Sequence, residues 1–509
     1  MTDIAEPRTA VLGAARRWLA LAAAMTGSAV YMLSLTISAT AIPHMQGAFS
    51  AAPDQISWML TSFIIGTTIT TACSGWIASR YGRKRVFVFA CGGFTVMSIL
   101  CGLATSLGQE VLFRTLQGLI GAPLLPLSQA IAIDTFPPEK RGLAISLQGF
   151  GAVSGAVIGP YVGGVLVEAY GWPWVFFVYV PLGALAFVAS WAFVPEIERD
   201  PGRTLSWTGF GLFIVAIATF QLMLNRGERL DWFASSEVIA EAAVAGIAFY
   251  AFVLHTAAAR EPFFAPQLFR DRNYLIGLFL VFVFGALIFL QMFLVPVLLL
   301  EFVGFTMKDV GYVLGWRALG LMASTLAIGP VVDRLDPRLT FVGGFLFMAA
   351  SAWVMSQWTL EIRPGDVAWA NFLQGICSGV AYIPIAVMAF STLPERLRND
   401  GVALFFLMSN LGTATGTAAI FNFLTRSMRV NRSVITEHLT LYNELFRSGG
   451  VPRLWDLHTT GGLAAMDAEV VRQAAIIAYT NSFYLIALVT LAVLPLALFV
   501  RLPKRTPAS

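Results

Sequence analysis

Arg114 and Gln117 are polar residues inside a long apolar stretch, in the sequence LFRTLQGLIGA. Because they are three residues apart, their side chains share one face of a helix. An ionisable group within a segment long enough to cross a membrane is costly, and it therefore marks a candidate functional site. A guanidinium beside an amide could contact a substrate or hold a proton-carrying water. Alternatively, Arg114 lies close enough to one end of the stretch to reach the membrane interface as an anchor.

Two later apolar stretches carry comparable polar residues. Asn371 and Gln374 occupy the matching places of a second, similar stretch, but neither is charged. Arg317 lies about eight residues into a further stretch, too deep to reach the interface easily. It needs a carbonyl or carboxylate partner, and structural pairing against helix 5 and substrate contact are both compatible with its position.

A basic loop, GWIASRYGRKRVF, follows the second apolar stretch. Its charge alone is typical of an anchor on the cytoplasmic side of a membrane. A second interpretation is a gate latch, in which Arg80 and Arg83 bond carboxylates and carbonyls at helix ends while the inner side is closed. The candidate gate residues are Gly75, Arg80, Gly82 and Arg83, with Asp333 and Arg334 in a second copy of the loop.

Glycines at every fourth position mark the fifth apolar stretch, GFGAVSGAVIGPYVGG. On a helix they form a side-chain-free groove roughly 18 Å long, at about 1.5 Å per residue. In lipid such a groove lets another helix approach closely, and a proline within it should bend the helix. A purely structural packing helix would show the same pattern. The residues of this motif are Gly151, Gly155, Gly159, Pro160, Gly163 and Gly164.

Few carboxylates suit a proton carrier, which must titrate in a partly dry site. Asp134 and Glu168 lie at segment ends, and Glu110 and Glu301 lie toward the outer face, so we interpret each as an interfacial residue. The proton-coupling residue therefore stays unidentified. The four cysteines and four histidines lack metal-ligand spacing, and we predict no metal, no disulfide and no cofactor. The sequence contains neither H-E-x-x-H nor G-x-S-x-G, which argues against a membrane-embedded enzyme.

The composition identifies an integral membrane protein, since 57% of the 509 residues are hydrophobic and 12% are charged. We count fourteen apolar segments, each near the roughly 20 residues needed to cross a hydrocarbon core. Because Lys and Arg are retained in cytoplasmic loops, their distribution places both termini in the cytoplasm. The net charge of +4 follows from this topology and does not indicate nucleic acid. In this orientation the short outer loops hold only Arg226, Arg229, Lys308 and Arg363.

The chain repeats itself at an offset of about 254 to 261 residues. Besides the basic loop, the tripeptide LQG at 116–118 recurs at 373–375, and two motif glycines recur as Gly412 and Gly416. We therefore predict an all-α membrane protein with two pseudo-symmetric six-helix bundles and two inserted helices. The predicted limits are 1–200 for the first bundle, 201–262 for inserted helices 7 and 8, and 263–509 for the second bundle. Parallel repeats of this kind build transporter sites at the interface of two bundles.

These residues resemble the major facilitator superfamily, specifically its fourteen-helix drug:H+ antiporter branch of the EmrB/QacA type. The basic loop is similar to the signature G-x-L-x-D-R-x-G-R-K, the stretch around Arg114 to the R-x-x-Q-G signature, and the glycine run to the antiporter signature. The segment LNRGERLDWF at 224–233 is similar to the EmrB subgroup in particular. The chain departs from the family at Ser79, where the wider family has Asp, and at Ser34 and Ala39, where many relatives carry Asp and Asn.

The resemblance implies an inner-membrane exporter of amphiphilic or lipophilic compounds, such as drugs and toxic organics, that works by alternating access in exchange for protons. A lipid or fatty-acid exporter and an uncoupled facilitator are alternatives, because the helix 1 acid is missing. In EmrB-like proteins a periplasmic adaptor and an outer-membrane channel join the exporter, and the predicted periplasmic loop at 425–475 is the natural docking surface. A self-packed cap over the outer vestibule is the alternative for this loop. The expected cavity residues, besides those above, are Ser34, Thr36, Gln291, Phe406 and Asn410.

Overall fold

A computed structural model of the protein describes most of the chain between residues 13 and 500. The described part excludes residues 1–12, 52, 57, 138–139, 197–201, 203, 229, 260–261, 329–334, 395–396, 440–454, 456–458 and 501–509. Within it the secondary structure is helical and contains no β-strand.

Fourteen long helices follow the fourteen predicted segments within the described residues. The first eight are α1 (Ala14–Ala48), α2 (Trp58–Tyr81), α3 (Arg83–Gly102), α4 (Leu107–Thr135), α5 (Arg141–Tyr170), α6 (Trp174–Phe193), α7 (Trp207–Gly227) and α8 (Ser236–Ala258). The other six are α9 (Arg272–Val297), α10 (Met307–Ile328), α11 (Pro337–Met355), α12 (Pro364–Phe390), α13 (Arg398–Glu437) and α14 (Thr460–Val493). Helix α4 is interrupted at residues 122–123 and α6 at residue 178.

Twelve of these helices are long and apolar enough to cross a membrane by length and composition, and α9 and α10, of 26 and 22 residues, complete the set in the described part. The predicted fourteen-helix membrane fold is therefore confirmed. Two helices run past the predicted segment ends, because α13 continues to Glu437 instead of ending at 424 and α14 begins at Thr460 instead of 476. No glycine or proline lies between 425 and 437, so nothing ends α13 where its apolar run ends. The middle of the predicted loop, 440–454 and 456–458, lies outside the described residues.

The helices pack in a repeated pattern. In the first six helices, the main neighbours are α1 with α5, α2 with α4, and α3 with α6. Each pairing recurs eight helices later, as α9 with α13, α10 with α12, and α11 with α14. Contacts between the halves follow the same symmetry, since α2 packs against α13 and α5 packs against α10. The two halves are therefore related by pseudo-twofold symmetry.

Glycines bring the backbones of α2 and α4, and those of α10 and α12, into contact where these helices cross. On α2 and α4, a side chain added at Gly66 or Gly118 would collide with backbone atoms of the opposite helix. The same holds on α10 and α12 for Gly320 and Gly375. Small residues are typical of close helix interfaces in lipid. The four glycines keep α2 against α4, and α10 against α12, at a short distance.

The inserted helices α7 and α8 pack mainly against each other, and α7 lies beside α2 and α13. Thr68 of α2 donates a hydrogen bond to Gln221 of α7, with 2.9 Å between Oγ1 and Oε1. Asn422 of α13 donates a hydrogen bond to Glu228, just after α7, at 2.9 Å. The inserted pair therefore flanks the contact between α2 and α13. The domain limits predicted at 200 and 262 stay predictions.

Candidate functional site

A cavity lies between the two halves, where α1, α4 and α5 face α9, α10, α12 and α13. The space between its lining residues that protein atoms do not fill is about 940 Å³, including space open to solvent. Its walls are mostly apolar, with Met32 and Phe150 on one side and Phe284 and Phe406 on the other. Aromatic and Met side chains accept apolar surfaces of varied shape. The lining therefore suits an amphiphilic or lipophilic solute.

Arg317 of α10 is the only charged residue in the described lining of the cavity. Its side chain is buried, and its Nη2 donates a hydrogen bond to the carbonyl oxygen of Ile288 on α9 at 3.2 Å. Its Nε and Nη1 have no hydrogen-bond partner. The predicted carbonyl partner is present, but it belongs to α9 and not to α5. The two unused donors leave the guanidinium able to bind an anion.

Polar groups at the cavity wall come from both halves. Gln148 of α5 is buried, and its Nε2 has no hydrogen-bond partner. Tyr382 of α12 donates a hydrogen bond to Gln129 of α4, with 2.7 Å between its hydroxyl and Oε1. The Tyr382 ring also lies 5.7 Å from the ring of Phe284, measured between centroids. Tyr382 therefore joins the two halves beside the cavity.

Three residues predicted to line a cavity do so, namely Arg317, Phe406 and Asn410. Gln148 and Tyr382 also line the cavity, although neither was predicted from the sequence. A signal existed for Gln148, a polar residue directly before the glycine run, but Tyr382 gave none, since tyrosine is also frequent near membrane interfaces. The other predicted residues are buried elsewhere in the helices: Ser34, Thr36, Arg114, Gln117, Gln291, Asn371 and Gln374.

Arg114 is the centre of a second polar cluster, inside the first bundle. Its Nη1 donates a hydrogen bond to Gln117 Oε1 at 2.6 Å, and Gln117 Nε2 donates one to Ser98 Oγ of α3 at 2.8 Å. The guanidinium carbon lies 4.2 Å from the centroid of the Phe63 ring, which is a cation–π contact. Arg114 is fully buried, so the alternative that it extends to the interface is wrong.

Glu110 lies one turn before Arg114 and is also fully buried. Ser106 caps the start of α4, because its Oγ accepts a hydrogen bond from the Gln109 N–H at 3.3 Å. Neither oxygen of the Glu110 carboxyl has a hydrogen-bond partner. Glu110 has no exposed surface, and α3 packs along α4, while its predicted place toward the outer face stays a prediction.

The second bundle repeats this cluster with its charge on a different helix. The repeat aligns Phe63 with Arg317 and Arg114 with Asn371. Each half therefore has one buried arginine on its glycine-crossed helix pair, on α4 in the first half and on α10 in the second. In the described part of the second bundle, buried amide atoms without a hydrogen-bond partner are Oδ1 of Asn371 and both side-chain amide atoms of Gln291 and Gln374.

The glycine groove of α5 packs against α1 of the same bundle. A Cβ added at Gly155 would overlap the Ala29 carbonyl oxygen, and one added at Gly159 would overlap Thr36 Oγ1. Gly164 faces open space. The groove therefore serves the contact between α1 and α5, and the contact between the halves uses other residues. Gly151 and Gly163 also face α1, and Pro160 lies within the helix.

The basic loop meets an acid at one end of the molecule. Arg83, at the start of α3, forms an ion pair with Asp134 near the end of α4. Asp134 also pairs with Arg398, at the start of α13, with 3.4 Å between Oδ1 and Nη1. We call Arg83, Asp134 and Arg398 the Asp134 latch, because one carboxylate joins cations from both halves. Arg80 lies over Trp76, with its guanidinium carbon 5.7 Å from the ring centroid.

The latch depends on the sharp turn between α2 and α3. Gly82 has a φ of 94°, a left-handed conformation that favours glycine, and it places Arg83 at the first position of α3. Gly75 is buried within α2. The side chain of Asp134, predicted to be interfacial, is only 13% exposed because both arginines cover it. Asp333 and Arg334, the second copy of the motif, lie outside the described residues.

The two halves also touch at the opposite end, where α5 meets α10. Gly311 near the start of α10 lies against the ring of Tyr161, closer than a side chain at that position would permit. The cavity therefore lies between the Asp134 latch at one end and this contact at the other.

Two pseudo-symmetric bundles with a cavity at their interface define the architecture of a secondary transporter. The family model of the Major Facilitator Superfamily matches residues 24–417. The chain belongs to this family, and it is a multi-pass membrane protein.

The relatives narrow the type of transporter. The chain is 30% identical to the fatty acid resistance protein FarB of Neisseria gonorrhoeae over 444 residues, which is 85% of each chain. It is 28% identical to the multidrug export protein EmrB of Escherichia coli strain K12 over 479 residues, 93% of each chain. The predicted EmrB type is therefore confirmed. Among solved structures, the human organic anion transporter MFSD10 (TETRAN) shares the fold with a TM-score of 0.59 at 13% identity, covering 95% of this chain and 100% of that one.

Proposed function

We propose that the protein exports amphiphilic or lipophilic compounds across the inner membrane of a bacterium, by alternating access and in exchange for protons. The cavity between the halves carries this proposal, because its apolar lining with a single described guanidinium suits such solutes. The names of the relatives, a multidrug export protein and a fatty acid resistance protein, support the same substrate class. Nothing in this mechanism needs a catalytic group, and we propose a transporter and not an enzyme.

Export of fatty acids or similar lipids is a second candidate, and Arg317 favours it. A carboxylate head group would accept hydrogen bonds from the two unused donors of Arg317, and the tail would lie against Phe284 and Phe406. A hydrogen bond to a charged group contributes about 1.5–3 kcal/mol, which corresponds to roughly tenfold to a hundredfold in affinity. This candidate makes an anion the preferred substrate.

The gates of alternating access would be the contacts between the halves at the two ends. The Asp134 latch ties α3 and α4 to α13, so its rupture would let the halves separate at that end. The hydrogen bond from Tyr382 to Gln129 also crosses between the halves and would break in the same movement. At the opposite end the contact between Tyr161 and Gly311 would open in its turn. Solute in the cavity would then face each side alternately.

We place the Asp134 latch on the cytoplasmic side and both termini in the cytoplasm, because Lys and Arg concentrate in the loops of that side. The ends of α13 and α14 that pass the membrane would then project into the periplasm. There Arg432 of α13 pairs with Asp467 of α14, with 2.7 Å between Nη2 and Oδ1. A periplasmic adaptor linked to an outer-membrane channel would dock on this projection. A cap over the outer vestibule is the alternative role.

The test is transport by the purified protein in liposomes under an imposed pH gradient. A long-chain fatty acid and the lipophilic cation ethidium serve as the two substrates, and a pH-sensitive dye inside the liposomes reports proton movement. We expect solute to move uphill with protons moving the other way. Solute movement without proton movement would make the protein an uncoupled facilitator, and movement of neither substrate would contradict export of amphiphiles. Preference for the fatty acid would support the second candidate.

A further inference from the structure

Glu110 is a buried acid that does not line the transport cavity. It lies in the first turn of α4, it is fully buried, and neither of its carboxyl oxygens has a hydrogen-bond partner. A charged carboxylate in such a place loses its hydration without compensation, which is costly. The arrangement in the structure is therefore one that favours a neutral, protonated carboxyl.

The titratable groups that act on Glu110 come from three helices. Arg114 is one turn further along α4, Cys101 is on α3 and Tyr179 is on α6. The thiol of Cys101 and the hydroxyl of Tyr179 are neutral in their ordinary state. Arg114 is the single cation of this set, so it is the natural partner of an ionised Glu110.

Arg114 has unused hydrogen-bond donors that can bind a second partner. Its Nη1 donates the hydrogen bond to Gln117, while Nε and Nη2 have no hydrogen-bond partner. Glu110 and Arg114 are four residues apart on one helix, so their side chains can meet without movement of the backbone. The Arg114 side chain therefore has two arrangements, one bonded to the Gln117 amide and one bonded to the Glu110 carboxyl.

The cluster around Glu110 and Arg114 also contacts α1, a helix that lines the cavity. The hydroxyl of Tyr179 lies 3.5 Å from Ser38 Oγ of α1, and α1 lines the cavity through Met32. The path from water to Glu110 is short, because Thr105 and Ser106, just before Glu110 in the chain, are exposed. A proton can therefore arrive from the end of α4, and its arrival can be transmitted to α1.

We propose that Glu110 is the proton-binding carboxyl of this exporter. When Glu110 is protonated, Arg114 binds Gln117; when the proton leaves to water, the carboxylate draws Arg114 into an ion pair, and the change reaches α1 through Tyr179. The proton is taken from water on one side and returned to water on the other, so no further reactant is needed. This inference rests on the proposed proton exchange.

The first test compares Glu110→Gln with Glu168→Gln in liposomes. Glu168 is exposed near the end of α5, so its variant is a matched control for loss of one carboxyl. We expect Glu110→Gln to lose accumulation driven by the pH gradient while downhill exchange of solute continues, and Glu168→Gln to keep both. Gradient-driven accumulation by Glu110→Gln would overturn the assignment. If that variant fails to insert, Glu110→Asp, which keeps the acid, should restore both insertion and coupling.

The second test does not depend on transport. Infrared difference spectra of the solubilised protein should contain the carbonyl stretch of a protonated, buried carboxyl, and this band should be absent from Glu110→Gln and present in Glu168→Gln. Absence of the band from the unmodified protein would refute the inference. A band that is present in a protein that moves no protons would contradict the proposed antiport but would still assign the proton to Glu110.

Discussion

Asp134 of α4 and Arg398 of α13 form an ion pair between the two halves of the protein, with 3.4 Å between Oδ1 and Nη1. The same carboxylate pairs with Arg83, so removal of one acid releases two cations. Because all three side chains are mostly buried, the contact is less screened by salt than a surface pair. The latch is therefore the place where a single substitution should change the balance between open and closed states.

Asp134→Asn should shift the protein toward the state that is open at the latch. Spin labels at Tyr81 and Ser391, one exposed position on each half, should show a larger share of long distances, in a background with the four cysteines replaced by serine. A loss of about 1.4 kcal/mol from the closed state changes the population ratio about tenfold. Arg85→Gln, which breaks the exposed pair with Glu196, is the control and should leave the distances unchanged.

Gly159→Leu should abolish transport while the protein still inserts in the membrane. The added side chain would overlap Thr36 and force α1 away from α5, and overpacking of this kind costs about 1–3 kcal/mol. Initial export rates and the midpoint of thermal unfolding check the result. Gly164→Leu is the matched control, since Gly164 faces open space and its variant should behave like the unmodified protein. Normal export by Gly159→Leu would show that the groove is not needed.

Arg317→Ala should weaken the binding of a fatty acid more than that of its neutral methyl ester. The charged hydrogen bonds lost contribute about 1.5–3 kcal/mol, so we expect roughly tenfold to a hundredfold weaker binding of the acid. Binding measured by tryptophan fluorescence for both ligands supplies its own control. Equal losses for acid and ester would place Arg317 in a structural role.

Arg114→Ala should impair transport more than folding. The substitution leaves Gln117 Oε1 without its donor, and an unpaired buried polar group costs about 1–3 kcal/mol. The export rate should fall while the protein remains folded and inserted, as size-exclusion chromatography would show. Arg429→Ala removes an exposed arginine of α13 and should have no effect on rate. Unchanged export by Arg114→Ala would exclude this arginine from the transport cycle.

The helices and their symmetry could be read from the sequence because each depends on local information. Apolar length predicts a membrane helix, and the recurrence of the tripeptide LQG, which holds Gly118 and Gly375, predicts a duplication; the structure contains the same close crossing at both glycines. Arg317 could be found because a charge deep in an apolar segment is rare. Asn410 and Phe406 also proved to line the cavity.

The burial of Glu110 could not be predicted, because it depends on how other helices meet the start of α4. From the sequence alone, an acid one turn into a helix is equally compatible with an interfacial position. Burial of Asp134 depends on Arg398, which is 264 residues away along the chain. Likewise, Tyr382 gains its role from Gln129 in the other half. Contacts of this kind are set by tertiary packing and leave no local pattern.

The paired glycine crossings determine where this molecule can bend. Gly66 and Gly118 bring the backbones of α2 and α4 into contact, and Gly320 and Gly375 do the same for α10 and α12. Neither crossing therefore leaves room for the two helices to slide or tilt against each other. We therefore expect each crossed helix pair to move as a rigid body. We therefore expect the relative movement of the two halves to occur at the contacts of α2 with α13 and of α5 with α10.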